Sequence, residues 1–336
     1  MKHKTNSVTT ISSEIHTRPD IFDFIKSTEP LSKIFDLPTK ISPSRTELYR
    51  KLYNGIGNND CYCVNLPNNN TLRIKMEYAN SLGNNHYSRY WVPYLFIAET
   101  LGVIDPDSTK ILEVTSGSSG IALSMACEKL DYDLTMLVPS MLPKGRTQPM
   151  IDAGTKLIKV DGYIDACILR LREIISNEDY FAANHSEERL NLITYIFSRI
   201  GYEYQFKYGN PDIAILGLGN GTSTEAVAKV LRSKQFVPKI YAFHPSLDGD
   251  DVVLGLLARN LHLRHVEPAK QLVDKILSTT EFDIEEVRNM FRHDTEVSNL
   301  GHSSLFAIKF AYDLSLSEED KTIFSIGYDK IDRYKN

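Results

Sequence analysis

Four cysteines and one tryptophan are spread over 336 residues, and no long apolar run or strong excess of one charge stands out. Cys61, Cys63, Cys127 and Cys167 offer a single close pair, Cys61-Tyr62-Cys63. No second pair completes a tetrahedral metal site. The two close thiols share a face if the segment is a strand, and they read as ordinary cysteines. Nine histidines show no H-E-x-x-H or related spacing, so no structural metal is expected. The net charge of −5 gives no electrostatic reason to expect nucleic acid or an anionic membrane. No apolar run is long enough to span a bilayer. Residues 1–13 are polar and rich in Thr and Ser, without the apolar segment of a secretory signal, so a cytoplasmic protein is expected. Hydrophobic content of 42% and charged content of 24% suit a soluble globular chain, long enough for two domains sharing an interface.

Residues 1–42 read as a lead-in with short amphipathic stretches near 21–26 and 31–35. Residues 61–66 and 71–78 read as strands, separated by the turn-forming run Pro67-Asn68-Asn69-Asn70. An aromatic-rich helix follows over 88–101. Strands are then expected at 110–114, 134–138, 156–160, 180–182, 213–216, 239–243 and 322–325. The helices between them fall at 119 onward, 144–153, 163–176, 190–204 and 224–232, with further helices before the last strand. This β–α alternation predicts parallel α/β architecture with two sheets flanked by helices. No internal repeat is visible.

Two loops carry chemistry. The apolar strand 213–216 runs into Gly217-Leu218-Gly219-Asn220-Gly221-Thr222-Ser223-Thr224 and then a helix. Glycines let a backbone approach an anion closely, and a helix start supplies free N–H groups. Taken alone, this loop also fits a dinucleotide fingerprint or tight strand–helix packing. Thr115-Ser116-Gly117-Ser118-Ser119-Gly120 has the same strand–loop–helix form, suited to a carboxylate or to a plain helix cap.

With E-Y-A-N-S-L-G-N-N-H-Y-S-R at residues 77–89 and S-I-G at 325–327, these loops resemble, in order and spacing, the cysteine synthase family of fold type II pyridoxal-phosphate enzymes. The resemblance runs from about Pro43 to Asp329. It implies a two-domain α/β fold of parallel twisted sheets: a smaller domain at 80–190, and a larger one from 43–79 and 191–336. It implies substrate-carboxylate binding by Thr115, Ser116, Gly117, Ser118 and Ser119, with Ser118 in the place of the family's ring-contacting asparagine. It implies cofactor contacts from Gly217, Gly219, Asn220, Gly221, Thr222, Ser223 and Ser325, and a homodimer. Pro43 opens P-S-R-T-E-L-Y-R-K, where the family often has T-P-L. The family's G-E-R-Y becomes Gly327-Tyr328-Asp329-Lys330. Leu305 and Phe306 replace small residues after Gly301-His302-Ser303-Ser304, which predicts a more crowded pocket floor.

The family's first segment places the Schiff-base lysine where this chain has His86, or Tyr87 if one residue is inserted. Neither side chain forms an imine. Lys75 and Lys144 are the other lysines considered, and Lys75 falls where the family residue is structural. The leading expectation is a divergent enzyme acting on an amino-acid-like substrate, with His86 and Tyr87 as catalytic candidates. Asn84, Asn85 and Arg89 join them if the active site has been rebuilt, and the ligand is then phosphate-bearing. Alternatives are pyridoxal-phosphate-dependent β-replacement or elimination with a non-standard base, and a non-catalytic ligand-binding or regulatory relative.

Overall fold

The computed structural model describes residues 23–25, 31–187, 192–233, 237–245, 256, 263–279 and 283–336. The expected stretch 31–35 is a 3₁₀ turn, Leu31–Asp36, that buries Leu31, Ile34 and Phe35. Half of the stretch at 21–26, residues 21, 22 and 26, lies outside the described residues, and 23–25 are helical. Helix α1 (Pro43–Tyr53) occupies the segment compared with T-P-L, and Ser42 caps it through a bond from Arg45 N–H. Strands β1 (Cys61–Asn65) and β2 (Thr71–Met76) pair antiparallel. Helix α2 (Ser88–Thr100) is buried from Ser88 to Ala98 and carries the chain's single tryptophan, Trp91.

The alternation follows. It runs β3 (Lys110–Val114), α3 (Ser118–Leu130), β4 (Asp133–Pro139), α4 (Lys144–Asp152), β5 (Lys156–Val160), α5 (Ile164–Asn177) and β6 (Phe181–Ala182). After it come α6 (Leu192–Tyr208), β7 (Ile213–Gly217), α7 (Thr222–Leu231), β8 (Lys239–His244) and α8 (Val266–Gln271). The chain continues with β9 (Lys275–Ser278), α9 (Ile284–Met290), α10 (Thr295–Ser298), α11 (His302–Ser315) and β10 (Thr322–Gly327). Strand β9 was not expected from the sequence; all four of its residues, K-I-L-S, are half-buried or exposed at a sheet edge, where the apolar signal of a strand is weak.

Two sheets result. One has six strands in the order β1-β2-β10-β7-β8-β9, and the other four in the order β5-β4-β3-β6. All pairings except β1–β2 are parallel. Strand β7 is apolar and buried at every position, as a strand covered on both faces requires. Strand order reverses between β7 and β10 in the larger sheet and between β3 and β6 in the smaller one. Such switch points open crevices beyond the carboxyl ends of the strands. Among the described residues no helix is long and apolar enough to cross a membrane.

The residues after β10 reach across to the smaller sheet's helices. Gly145 N–H, on α4, donates to Lys335 O at 2.8 Å, and Arg333 Nη2 donates to Gly83 O at 3.3 Å. The segment between β2 and α2 is held by a buried charge cluster. Arg89 donates from Nε and Nη2 to Glu77 at 2.7 Å, and from Nη1 and Nη2 to Glu203 of α6 at 2.6 and 2.8 Å. Lys75 Nζ sits 2.8 Å from Glu203 Oε2. Burial opposes ionisation of Glu203, but Arg89 and Lys75 outweigh it and hold the carboxyl down at about 2. Removing one partner strands buried charge, so Arg89→Met is expected to cost about 3–5 kcal/mol in urea unfolding. The depressed Glu203 pKa places this cluster's acid lability below its ordinary 4.5. Its stabilisation is complete above that pH and falls away as pH drops toward about 2, and the variant should show a flatter acid limb.

Candidate ligand site

A cavity of about 110 Å³ lies where the two crevices meet. The smaller sheet contributes Glu113 at the end of β3, the Thr115–Ser119 loop, and Asn184, His185 and Ser186 after β6. The larger sheet contributes Gly217, Gly219, Asn220 and Ser223 after β7, and Tyr328 and Asp329 after β10. His86 and Tyr87 close one side.

The loop at 80–87 is shaped by its asparagines. Gly83 and Asn84 take φ of 69° and 49°, a left-handed turn that Gly and Asn tolerate. A Cβ at Gly83 would lie 2.9 Å from Ala122 Cα, so a larger residue would push the loop off helix α3. Asn85 Nδ2 donates to Gly83 O at 2.7 Å and Ser118 O at 3.0 Å, while its Oδ1 accepts from Tyr87 N–H. His86 is thereby fixed against the Thr115–Ser119 loop. Its ring lies 4.3 Å from Tyr87, 5.1 Å from Phe197 and 5.3 Å from Tyr328. Burial lowers its pKa to about 4, so the imidazole is neutral near pH 7. His86 Nδ1 has no hydrogen-bond partner among the described residues. Burial pushes the Tyr87 phenol the other way, up to about 12.

The first turn of α3 presents N–H groups without intrahelical partners. Thr115 Oγ1 accepts from Gly117 and Gly120 N–H, which ties the loop into a tight turn. Gly117 has φ of 139° and lies against Arg146, whose Nη1 donates to Ser116 O at 2.8 Å. Ser118 Oγ is turned to Asp329 Oδ2 at 3.1 Å, and Ser119 Oγ accepts from Trp91 Nε1. Arg146 Nη2 also faces Asp329 at 3.5 Å. Burial raises the Asp329 pKa, and Arg146 only partly offsets it.

In the glycine loop, Asn220 Oδ1 accepts from Thr222 N–H and Oγ1, and its Nδ2 donates to Tyr87 Oη and Ser186 Oγ, both at 3.3 Å. Thr222 and Gly221 stand behind the cavity wall, and so does Gly117 in the other loop. Gly217 N–H donates to Tyr328 Oη at 3.0 Å. Ser325 is buried, donates to Ile215 O at 2.8 Å, and does not line the cavity. Leu305 and Phe306 are buried in the core beside it, while Ser303 reaches the cavity.

Sequence reasoning missed Glu113, Arg146, His185, Tyr328 and Asp329 on this wall. Glu113 carried a signal, as a lone acid in the apolar strand K-I-L-E-V directly before the loop. It accepts from Val114 and His185 N–H and lies 3.6 Å from His185 Nδ1. Arg146 and His185 had none, because only the fold brings them to the loop.

Residues 55–297 match the model of the pyridoxal-phosphate dependent enzyme family, and the chain belongs to that family. A cysteine synthase of Staphylococcus aureus is 27% identical over 176 residues, covering 51% of this chain and 56% of the relative. The chain thus spans little more than half the length of that relative. A hydrogen sulfide-producing enzyme of Fusobacterium nucleatum superposes with TM-score 0.75 at 26% identity, over 84% of this chain and 97% of the other. An O-acetylserine dependent cystathionine beta-synthase from Helicobacter pylori has TM-score 0.74 at 20% identity, over 84% and 96%, and bears on the fold alone. The recognised family and fold class are those read from the sequence.

Lysine-anchored pyridoxal phosphate does not fit the residues present. No lysine lines the cavity among the described residues. The stretches 246–255 and 257–262, on either side of the lining residue Leu256, contain none in their sequence. Lys75 is committed to Glu203, and Lys144 is exposed.

The depressed His86 pKa has a thermodynamic signature. Between about 6.5 and 4 the unfolded chain takes up the proton first, so stability falls as pH drops through that window. Urea unfolding at pH 7 and pH 5 should show a smaller loss in His86→Phe than in the native protein. An equal loss in both would mean that His86 is not held neutral.

Proposed function

We propose that the chain is a divergent enzyme acting on an amino-acid-like substrate without a Schiff-base lysine. The observation that carries this reading is the pairing of the Thr115–Ser119 loop with His86 across one cavity that no lysine lines among the described residues. Thr115, Ser116, Gly117, Ser118 and Ser119 form the cradle for the α-carboxylate, through the N–H groups of the first turn of α3. The cysteine synthases it resembles are named for cysteine, and an amino acid of that size is the substrate class proposed.

His86 is the better candidate for moving a proton. A neutral imidazole accepts a proton near pH 7, whereas a Tyr87 phenol raised to about 12 stays protonated and serves as a donor. Within the cofactor contacts first read from the sequence, Gly217, Gly219, Asn220 and Ser223 form the far wall in this proposal; Gly221 and Thr222 shape the loop behind it, and Ser325 ties β10 to β7. A homodimer is also proposed, and the 97% exposure of Phe206 beside Tyr202 on α6 supports it.

A ligand-binding relative without turnover is the second reading, favoured by how many polar groups of the wall are already bonded to one another. Consumption of cysteine-sized amino acids, followed by chromatography, separates the two. Turnover is expected to fall about 100-fold in His86→Ala and by a smaller factor in Tyr87→Phe. Turnover untouched by either change sinks the assignment, and absence of turnover in the native protein favours the second reading.

A further inference from the structure

We propose that this chain fills its family's cofactor place with its own side chains, and that the space left takes one small, free amino acid. The second half rests on the amino-acid reading above. The first stands on packing alone.

The ring of Tyr328 spans the crevice. One end meets His86 at 5.3 Å between ring centres, and the other places its hydroxyl on Gly217 N–H at 3.0 Å. Gly217 is the first residue of the loop in which the family resemblance seats a phosphate. Tyr328 is held there from both sides in sequence. Before it, a Cβ at Gly327 would lie 2.6 Å from the Tyr78 ring, so the strand end is pressed tight. After it, Gly301 N–H donates to Asp329 O, and Asp329 meets Ser118, Arg146 and Tyr334. Tyr328 N–H itself donates to Ser304 Oγ at 3.1 Å.

Three more donors of the loop are engaged as well. Thr222 N–H and hydroxyl turn to Asn220 Oδ1, and Thr224 Oγ1 donates to Gly217 O at 2.9 Å. A phosphate drawn to Gly217, Thr222 or Thr224 would have to break these bonds.

What remains is about 110 Å³. Pockets for drug-sized ligands run to roughly 300–1,000 Å³, so this one favours a small ligand over a cofactor-sized one. The remaining space is not inert. It faces the N-terminus of α3, whose N–H groups suit a carboxylate, and the buried imidazole of His86 lines it. The expected phosphate-bearing ligand therefore gives way to a small carboxylate-bearing one.

The test uses the full chain with three probes: pyridoxal phosphate, inorganic phosphate and L-serine. L-serine should raise the melting temperature by about 3–5 °C at a hundredfold excess over its Kd. The two phosphates should leave it unchanged, and pyridoxal phosphate should give no visible imine band. A His86→Lys, Tyr328→Gly double variant should gain that band and a borohydride-trapped lysine at position 86, whereas His86→Lys alone should not. A band or a shift with pyridoxal phosphate in the native protein overturns the filled site, whatever the variants do. A band in His86→Lys alone also overturns it, because Tyr328 would then obstruct nothing. No shift with L-serine overturns the ligand half and leaves the packing half standing. These readouts are independent of turnover, so the catalytic assignment can fail while the filled site holds.

Discussion

Arg89 is a buried guanidinium clasped by two carboxylates from different parts of the chain, Glu77 just after β2 and Glu203 on α6. Each fork is bidentate, the geometry in which an arginine is most directional. The twelve-residue separation of Glu77 and Arg89 closes a loop, and every residue at the lysine position of the family lies inside it. The placement of His86 and Tyr87, the approach of Asn85 to Ser118 and the shape of the cavity all depend on that closure. A cluster this buried is costly to desolvate. It gives little net stability over an apolar equivalent and a great deal of positional definition.

That definition also governs how the walls of the pocket meet. Here aromatic contacts among His86, Tyr87, Phe197 and Tyr328 join them, with Asn220 bridging Tyr87 and Ser186. Ring pairs at these separations contribute roughly 0.5–1.5 kcal/mol each beyond their burial. Side chains packed between two sheets thus do the cohesive part of what a bound group would do, without its chemistry.

The strand and helix order was legible because β7, β3 and β4 are apolar runs between turn formers, and because the two loops announce themselves by glycine and hydroxyl content. The helix at 43–53 and the edge strand at 275–278 were not legible: the first is highly polar and the second is half-buried or exposed throughout at an edge. In the site, the loops and His86 were readable from local sequence. Tyr328 was visible only as a departure from a motif, since nothing local says that its hydroxyl meets a glycine 111 positions earlier. Arg146 and His185 are the same kind of case. Their partners, Asp329 and Glu113, lie far along the chain, and pairings of that kind are set by topology.

The contacts that finish the cavity have a temporal side. Tyr328, Asp329 and the residues just beyond leave the ribosome after every other wall has been made. Yet Asp329 must meet Ser118 across 211 positions, and the tail must reach helix α4. Contacts of such long sequence separation are slow to form, because loop closure comes before any gain from contact. Tyr328 and Asp329 therefore close the cavity from the far side of the sequence. Without them, Gly217 N–H would lack the tyrosine hydroxyl it now meets, and Ser118 the carboxylate.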